Sequence, residues 1–304
     1  MSDKETVLVT AATGRQGGAT ARALLADGRA LVRVLVRDRD APNARALAAS
    51  GAEIVVGDLD QPASLRAACK GVRAVFSMQS PIMTATGVDF SKERAQGVNL
   101  VEAAHAAGVD TFVHTATSGV GDHRQVEGWA EGRWKSQEIY WENKLATCEL
   151  VRNTGFRHSA IILPSTFMDH VMLEPAGFIG GLRLVTVVDA DRPLGFIAPD
   201  DVGAAAAAAI LEPTRFDGVT LQLAGDVLSL REATAILARL DGKAYVVEST
   251  TVERAIAAGV HPGLASGLAF MNAARLLARP EIARGYGLAP ISFETWARKR
   301  RGMA

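Results

Sequence analysis

The chain has 304 residues, 48% of them hydrophobic and 22% charged, with 33 basic and 33 acidic side chains and a formal net charge of zero. That length and balance describe a folded globular chain of one large domain or two unequal ones, and exclude a disordered one. Zero net charge argues against a nucleic-acid partner, because phosphate backbones are met by a surplus of Lys and Arg.

The one local exception, Arg298 to Arg301, reads as a solvated last helical turn whose cations complement the helix dipole. Cys69 and Cys148 form no C-x-x-C, which suggests neither a zinc site nor a disulfide framework and fits a reducing compartment. The charged Ser2-Asp3-Lys4-Glu5 passes straight into a strand, leaving no room for a signal peptide. The longest apolar run, 204–211, is too short to span a bilayer, so the expectation is a cytoplasmic protein with no membrane partner.

Short β-branched runs alternate with helical patterns up to residue 165, the signature of βαβ units in a parallel sheet. Strands are predicted at 7–10, 31–36, 53–56, 74–77, 111–114 and 158–163, and helices at 16–26, 43–49, 63–68, 90–107 and 135–153. Gly28, Gly51, Gly71, Gly108 and Gly155 each close a helical stretch, where a left-handed cap is easiest for glycine. After Pro164 the rhythm weakens, with strands at 184–188, 195–197, 220–223 and 245–247 among helices. Ser229 and Glu232 form a capping box that starts one helix, and Ser292 starts the last.

The fold class expected is α/β: a Rossmann doubly wound parallel sheet over 1–165, with a smaller α+β substrate lobe over 166–304 that crosses back to the sheet. Such an arrangement leaves a cleft at the carboxyl ends of the strands.

Ala11, Gly14 and Gly17 fall on the three positions of a G-x-x-G-x-x-G loop between the first strand and the first helix. There the first residue makes the tight turn, the second lets backbone approach phosphates, and the third lets helix and strand pack closely. The amides of Arg15, Gln16 and Gly17 would meet a pyrophosphate at the helix N-terminus. Alanine at position 11 carries a steric cost if that position needs positive φ. At the end of the second strand, Arg37 welcomes the 2′-phosphate of NADP(H), with Arg15 as a second cation, while the adjacent Asp38 is the residue NAD would prefer.

These residues resemble the NmrA-like branch of the atypical short-chain dehydrogenase/reductase superfamily. The resemblance is carried by Thr10-Ala-Ala-Thr-Gly-Arg-Gln-Gly17, Val34-Leu-Val-Arg37, Gly57-Asp-Leu-Asp-Gln-Pro-Ala-Ser-Leu65, Phe112-Val-His-Thr-Ala-Thr-Ser118 and Leu163-Pro-Ser-Thr-Phe-Met168. It continues through Phe196-Ile-Ala-Pro-Asp-Asp-Val-Gly203 and Leu223-Ala-Gly225. It implies that Thr10, Ala12 and Thr13 join the phosphate loop, that Asp58 and Leu59 line an adenine, that Met78 and Gln79 lie on the ribose side, and that Pro164, Thr166 and Phe167 lie at the nicotinamide end. The family includes both reductases and NADP-binding regulators without catalysis. Superfamily analogy also points to homodimer pairing through the helices at 90–107 and 135–153.

Tyr140-Trp-Glu-Asn-Lys144 matches the Tyr-x-x-x-Lys pair of active superfamily members, and i, i+4 spacing puts both side chains on one helix face. A nearby ammonium favours the ionised phenol, so Tyr140 can exchange a proton with a substrate oxygen, and Lys144 also holds ribose hydroxyls. Thr117, with Ser118 beside it, takes the place of the superfamily's third member and would polarise the acceptor oxygen. The bland alternative makes Tyr140 a core residue beside Trp141 and leaves Lys144 only a ribose contact.

Met83, Trp129, Trp134, Phe167, Met168 and Met172 are candidates to line an apolar pocket. The six histidines form no metal-ligand spacing, so no metal is expected, and His114 reads as a buried strand residue. The function expected is hydride transfer from NADPH to a carbonyl or quinone of a small apolar or aromatic molecule; the rival is a non-catalytic NADP(H) sensor. A nucleotide-sugar epimerase would want a larger lobe than the tail offers.

Overall fold

The computed structural model describes residues 4–85, 87–171, 178–179 and 182–303. Its first half runs β1 (Thr6–Val9), α1 (Arg15–Asp27), β2 (Leu31–Val36), α2 (Pro42–Ala49), β3 (Glu53–Val56), α3 (Pro62–Cys69), β4 (Val72–Ser77), α4 (Glu93–Ala106), β5 (Thr111–Thr115), α5 (Lys135–Asn153) and β6 (His158–Pro164). The second half adds β7 (Thr166–Phe167), β8 (Arg183–Thr186), β9 (Leu194–Ile197), α6 (Pro199–Leu211), β10 (Thr220–Leu223), β11 (Asp226–Leu228), α7 (Leu230–Asp241), β12 (Val246–Ser249), α8 (Pro262–Met271) and α9 (Phe293–Arg300).

Seven strands form one sheet in the order β10-β6-β5-β4-β1-β2-β3, every neighbouring pair parallel. Strand periodicity of two makes it a layer with two buried faces. Val7, Val9, Val34, Phe76, Val113 and Ile162 turn to one face, against α1, α2 and α6. Leu8, Leu35, Val75, Phe112, Ile161 and Leu163 turn to the other, against α3, α4 and α5. Leu8, Phe76 and Phe112 are fully buried, and each such side chain contributes about 1.5–3 kcal/mol when removed from water. The order reverses between β1 and β4, which is where doubly wound sheets open a crevice.

The predicted punctuation is found. Gly28, Gly51, Gly71, Gly108 and Gly155 adopt φ between +70° and +99°. Ser229 and Glu232 form the reciprocal capping box, and the Ser292 hydroxyl accepts the Thr295 amide. The fourth helix differs, starting at Glu93 instead of residue 90: the Asp89 carboxylate accepts the Ser91 amide at 2.8 Å, a turn that delays the helix. Ile82–Met83 and Val88–Asp89 pair as a short antiparallel hairpin ahead of it.

After residue 165 the chain stays engaged with the sheet. α6 packs along α1, and a Cβ on Gly203 would lie 2.4 Å from the Ala19 carbonyl carbon, so only glycine permits that approach. β10 extends the sheet beside β6. The remainder gathers into two small sheets, β9 with β7 and β11, and β8 with β12 and Phe178–Ile179. A core of Met168, Phe196, Leu237, Phe293 and Trp296 fills that lobe.

Candidate functional site

The loop after β1 is held tightly at its base. The Thr10 hydroxyl donates to the Phe76 carbonyl at 3.0 Å and accepts the Met78 amide at 3.2 Å, tying the end of β1 to the end of β4. Thr10 and Ala12 are buried. Their side chains therefore shape the loop from within. Ala11 sits at φ +50°, the only non-glycine at positive φ among the described residues. The turn does require a left-handed residue.

The Gly14 amide donates to the Ala11 carbonyl at 2.9 Å and the chain enters α1. A Cβ on Gly17 would lie 2.4 Å from the carbonyl oxygens of both Thr10 and Ala11. No side chain caps α1 and no acid stands in its first turn, so the amides of Arg15, Gln16 and Gly17 open onto an electropositive terminus suited to an anion. Gln16 is buried, and its Oε1 accepts the Thr115 hydroxyl at 2.8 Å, locking α1 to the end of β5. Thr13 is exposed, and its carbonyl accepts the Asn43 side chain at 2.9 Å.

Arg37 stands exposed just past β2. The Asp38 carboxylate is turned to a local task, accepting the Asp40 amide at 2.8 Å. After β3, the Asp58 carboxylate accepts the Asp60 amide at 2.9 Å, and the Leu59 carbonyl accepts Asn99 of α4 at 2.9 Å.

A cleft of about 910 Å³ opens at the carboxyl ends of β4, β5 and β6 and runs under the second lobe. Arg15, Gln16, Met78, Gln79, Pro164, Thr166 and Phe167 line it, as do Thr117, Tyr140 and Lys144. Thr13, Gly14, Gly17, Arg37, Asp58 and Leu59 do not line it; Gly17 lies in the first turn of α1 and the others in the loops after β1, β2 and β3. Gln79 Nε2 donates to Ser77 at 3.1 Å while its Oε1 is buried with no partner among the described residues. Ser165 Oγ is likewise buried with no described partner. Unpaired buried polar atoms are costly, and beside a cleft they are positioned for a ligand's amide or hydroxyl groups.

Lys144 Nζ donates to Glu93 Oε1 at 2.7 Å, with both side chains nearly excluded from water. Burial alone pushes this ammonium's pKa down, but Tyr140 and Glu93 outweigh it and leave it above its ordinary value. Lys144 Nζ also lies over the Tyr140 ring, 5.0 Å from its centroid. Tyr140 is half-buried, edge-on to Phe90 and Trp141, and its hydroxyl has no hydrogen-bond partner among the described residues. Ser118 is engaged with Gln222 at 2.7 Å, whereas the Thr117 hydroxyl bonds to no described residue. His114 is a buried strand residue, its pKa lowered by burial to about 3.

The expected apolar lining is corrected in part. Met83 and Phe167 line the cleft, but Trp129 and Trp134 pack on Phe270 with ring centroids 6.1 and 5.3 Å away, behind the wall. Met168 is fully buried in the second lobe's core, and Met172 lies outside the described residues. Sequence reasoning missed Glu93, Phe90, Ser165 and the leucine-rich wall from β8, β9 and α8. Nothing local marks Glu93 as the partner of Lys144; only α8's run of small and apolar residues was a visible signal.

This parallel sheet, with an uncapped glycine-bearing helix terminus at its switch point, defines a dinucleotide-fold α/β protein. The chain belongs to the NmrA-like family, whose model matches residues 3–257. A curated relative from Streptomyces griseus, (4-alkanoyl-5-oxo-2,5-dihydrofuran-3-yl)methyl phosphate reductase, is 30% identical over 250 residues, covering 82% of this chain and 78% of that protein. The fold is shared with the NADPH-dependent quinone oxidoreductase QOR2 of Escherichia coli, solved with NADPH, at a TM-score of 0.76 and 20% identity over 97% of this chain and 99% of that one. NmrA, a negative transcriptional regulator solved with NADP, matches at a TM-score of 0.74 and 20% identity over 97% and 95%. Among the described residues no helix is long and apolar enough to cross a membrane.

Proposed function

We propose that this chain is an NADP(H)-dependent oxidoreductase that reduces a carbonyl or quinone of a small apolar or aromatic molecule. The observation that carries the reading is the gathering of Tyr140, Lys144 and Thr117 on one apolar cleft, next to an uncapped helix terminus with room for a pyrophosphate. The loop fits a dinucleotide: positive φ at Ala11 and the absent Cβ at Gly17 bring helix and strand together where phosphates approach. The dinucleotide supplies a hydride when bound.

The chain's own residues do the rest. The amides of Arg15, Gln16 and Gly17 hold the pyrophosphate, and Arg37 takes the 2′-phosphate. Asp58 and Leu59 flank the adenine, Met78 and Gln79 the ribose side, and Pro164, Thr166 and Phe167 the nicotinamide end. The Thr117 hydroxyl donates to the acceptor oxygen as charge builds there. Tyr140, whose hydroxyl is free among the described residues, gives that oxygen its proton, helped by the cation above its ring. Glu93 keeps Lys144 in place.

A second reading, a non-catalytic sensor of NADP(H), is favoured by one observation: Lys144 is committed to Glu93 and lies over the ring face of Tyr140. Tyr140→Phe keeps the ring contacts and removes the hydroxyl. Its turnover on a panel of carbonyl and quinone acceptors should fall by about 10²–10⁴ on carbonyls, with NADPH affinity unchanged. Unchanged carbonyl turnover removes the proton-donor role. If no acceptor oxidises NADPH, while NADP and NADPH shift the binding of a protein partner differently, the sensor reading stands.

A further inference from the structure

The far wall of the cleft is chemically uneven. Leu184, Leu194, Leu264, Leu268 and Leu277 present apolar surface from β8, β9, α8 and the segment after α8. Two guanidinium groups share that wall: Arg192, just ahead of β9, and Arg275, in the segment after α8. Arg192 donates to the carbonyl of Ala274, which brings its side chain beside the residue preceding Arg275. Two segments 83 positions apart in the sequence thus each bring a cation to the same wall.

Their charge is uncompensated among the described residues. Four cations line the cleft. Lys144 is neutralised by Glu93, and Arg15 lies 3.9 Å from the Asp169 carboxylate. Among the described residues neither Arg192 nor Arg275 has an ion-pair partner, and none of those that line the cleft is Asp or Glu. Close by on the exterior of the same lobe, Arg231 pairs with Asp191 at 2.7 Å, and Arg183 pairs with Glu248. Among the described residues an acid is thus supplied to the neighbouring surface arginines and not to those in the cleft. Guanidinium groups beside apolar, poorly hydrated surface attract an oxyanion more strongly than they would in open water.

We propose that the substrate is an amphipathic anion: an aromatic or aliphatic body against the leucines, and a carboxylate, sulfonate or phosphate monoester bound by Arg192 and Arg275. This rests on the reading of the cleft as the substrate pocket. The anionic group is a binding handle and takes no part in the redox step. Its place at the second lobe leaves the reducible group free to face Thr117 and Tyr140.

The test is a binding titration, so it does not depend on finding an acceptor. Calorimetry of the 304-residue chain, with and without NADP present, compares 2-naphthoate with the uncharged 2-naphthalenemethanol of the same shape. The wild type should bind 2-naphthoate at least about tenfold more tightly, and added salt should erode that difference. Arg275→Gln, at an exposed position with no described bond, should abolish most of the preference. Arg192→Gln should do the same, and Arg192→Lys should keep part of it, which separates charge from any loss of the Ala274 contact. The proposal fails if the wild type shows no preference for the anion, or if both glutamine variants keep it. It also fails if the variants weaken NADP and leave 2-naphthoate untouched, because the arginines then serve the cofactor. A protein that prefers the anion yet leaves NADPH unoxidised whichever acceptor is offered defeats the reductase reading alone.

Discussion

Lys144 of α5 and Glu93 of α4 meet at 2.7 Å in a nearly water-free setting, joining two helices on one face of the sheet beside the cleft. The second carboxylate oxygen of Glu93 is buried with no partner among the described residues, so the pair is held there by a single strong contact. Removing one member strands the other charge, which costs about 3–5 kcal/mol at a buried pair. Glu93→Gln should lower unfolding stability in urea by that order. Glu93→Gln with Lys144→Met should recover most of it, since a packed apolar replacement has no charge to strand. The raised pKa of Lys144 gives a sign: its contribution is complete below the ordinary lysine value of 10.5 and fades as pH rises through the folded value. A double variant no more stable than Glu93→Gln alone would mean that the loss is not electrostatic.

The phosphate loop offers a second test, because Ala11 holds a conformation that suits glycine. The left-handed region costs an L-residue roughly 1–2 kcal/mol, of which glycine returns part through its larger unfolded-state entropy. Ala11→Gly should therefore raise stability by about 0.5–1 kcal/mol and leave NADPH affinity the same or better. Gly17→Ala should do the reverse, costing about 1–3 kcal/mol, since its Cβ meets two backbone oxygens that cannot swing away. Thermal melts with and without NADPH read both.

Asp201, in the first turn of α6, has its pKa raised to about 6 by burial, even though its carboxylate accepts the Ile291 amide at 3.0 Å. A carboxyl with a folded pKa above its unfolded value of 3.8 adds stability below that value and loses it as pH rises through 6. Asp201→Asn keeps an acceptor for Ile291 without the charge. It should match the wild type near pH 4 and exceed it by about 1–2 kcal/mol at pH 8, checked by denaturant melts across that range. Equal stability at both pH values would refute the assignment.

Arg37 is exposed at the end of β2, and the neighbouring Asp38 is occupied by its own turn. Arg37→Gln should weaken NADPH about 10–100-fold, the worth of a charged hydrogen bond, while NADH changes little. Isothermal titration with both cofactors decides it; equal losses would mean that Arg37 does not read the 2′-phosphate.

What the sequence disclosed, it disclosed through local physics. Strand alternation located β1 to β6 within a few residues, and five glycines at helix ends took the left-handed caps that only they adopt cheaply. The loop from Thr10 to Gly17 was readable because its turn, its helix terminus and its close packing are all made within eight neighbouring residues. What stayed hidden depends on distant chain. Glu93 and Lys144 are 51 residues apart, and nothing in either neighbourhood names the other. Trp129 and Trp134 looked like pocket residues because composition cannot say which side of a wall a ring occupies; Phe270, much later in the chain, draws them inward. That Arg192 and Arg275 pair with no acid among the described residues is a fact about which acids fold elsewhere.

Gly203 lies against Ala19 with no space for a side chain, so the helix that begins at the phosphate loop is braced from behind by a segment made after the sixth strand. A ribosome that has released only the first 165 residues has therefore produced a helix whose rear face is still bare and a sheet still lacking one edge. The packing behind the loop is complete only once α6 is in place, so the end of the chain's first half is finished by its second.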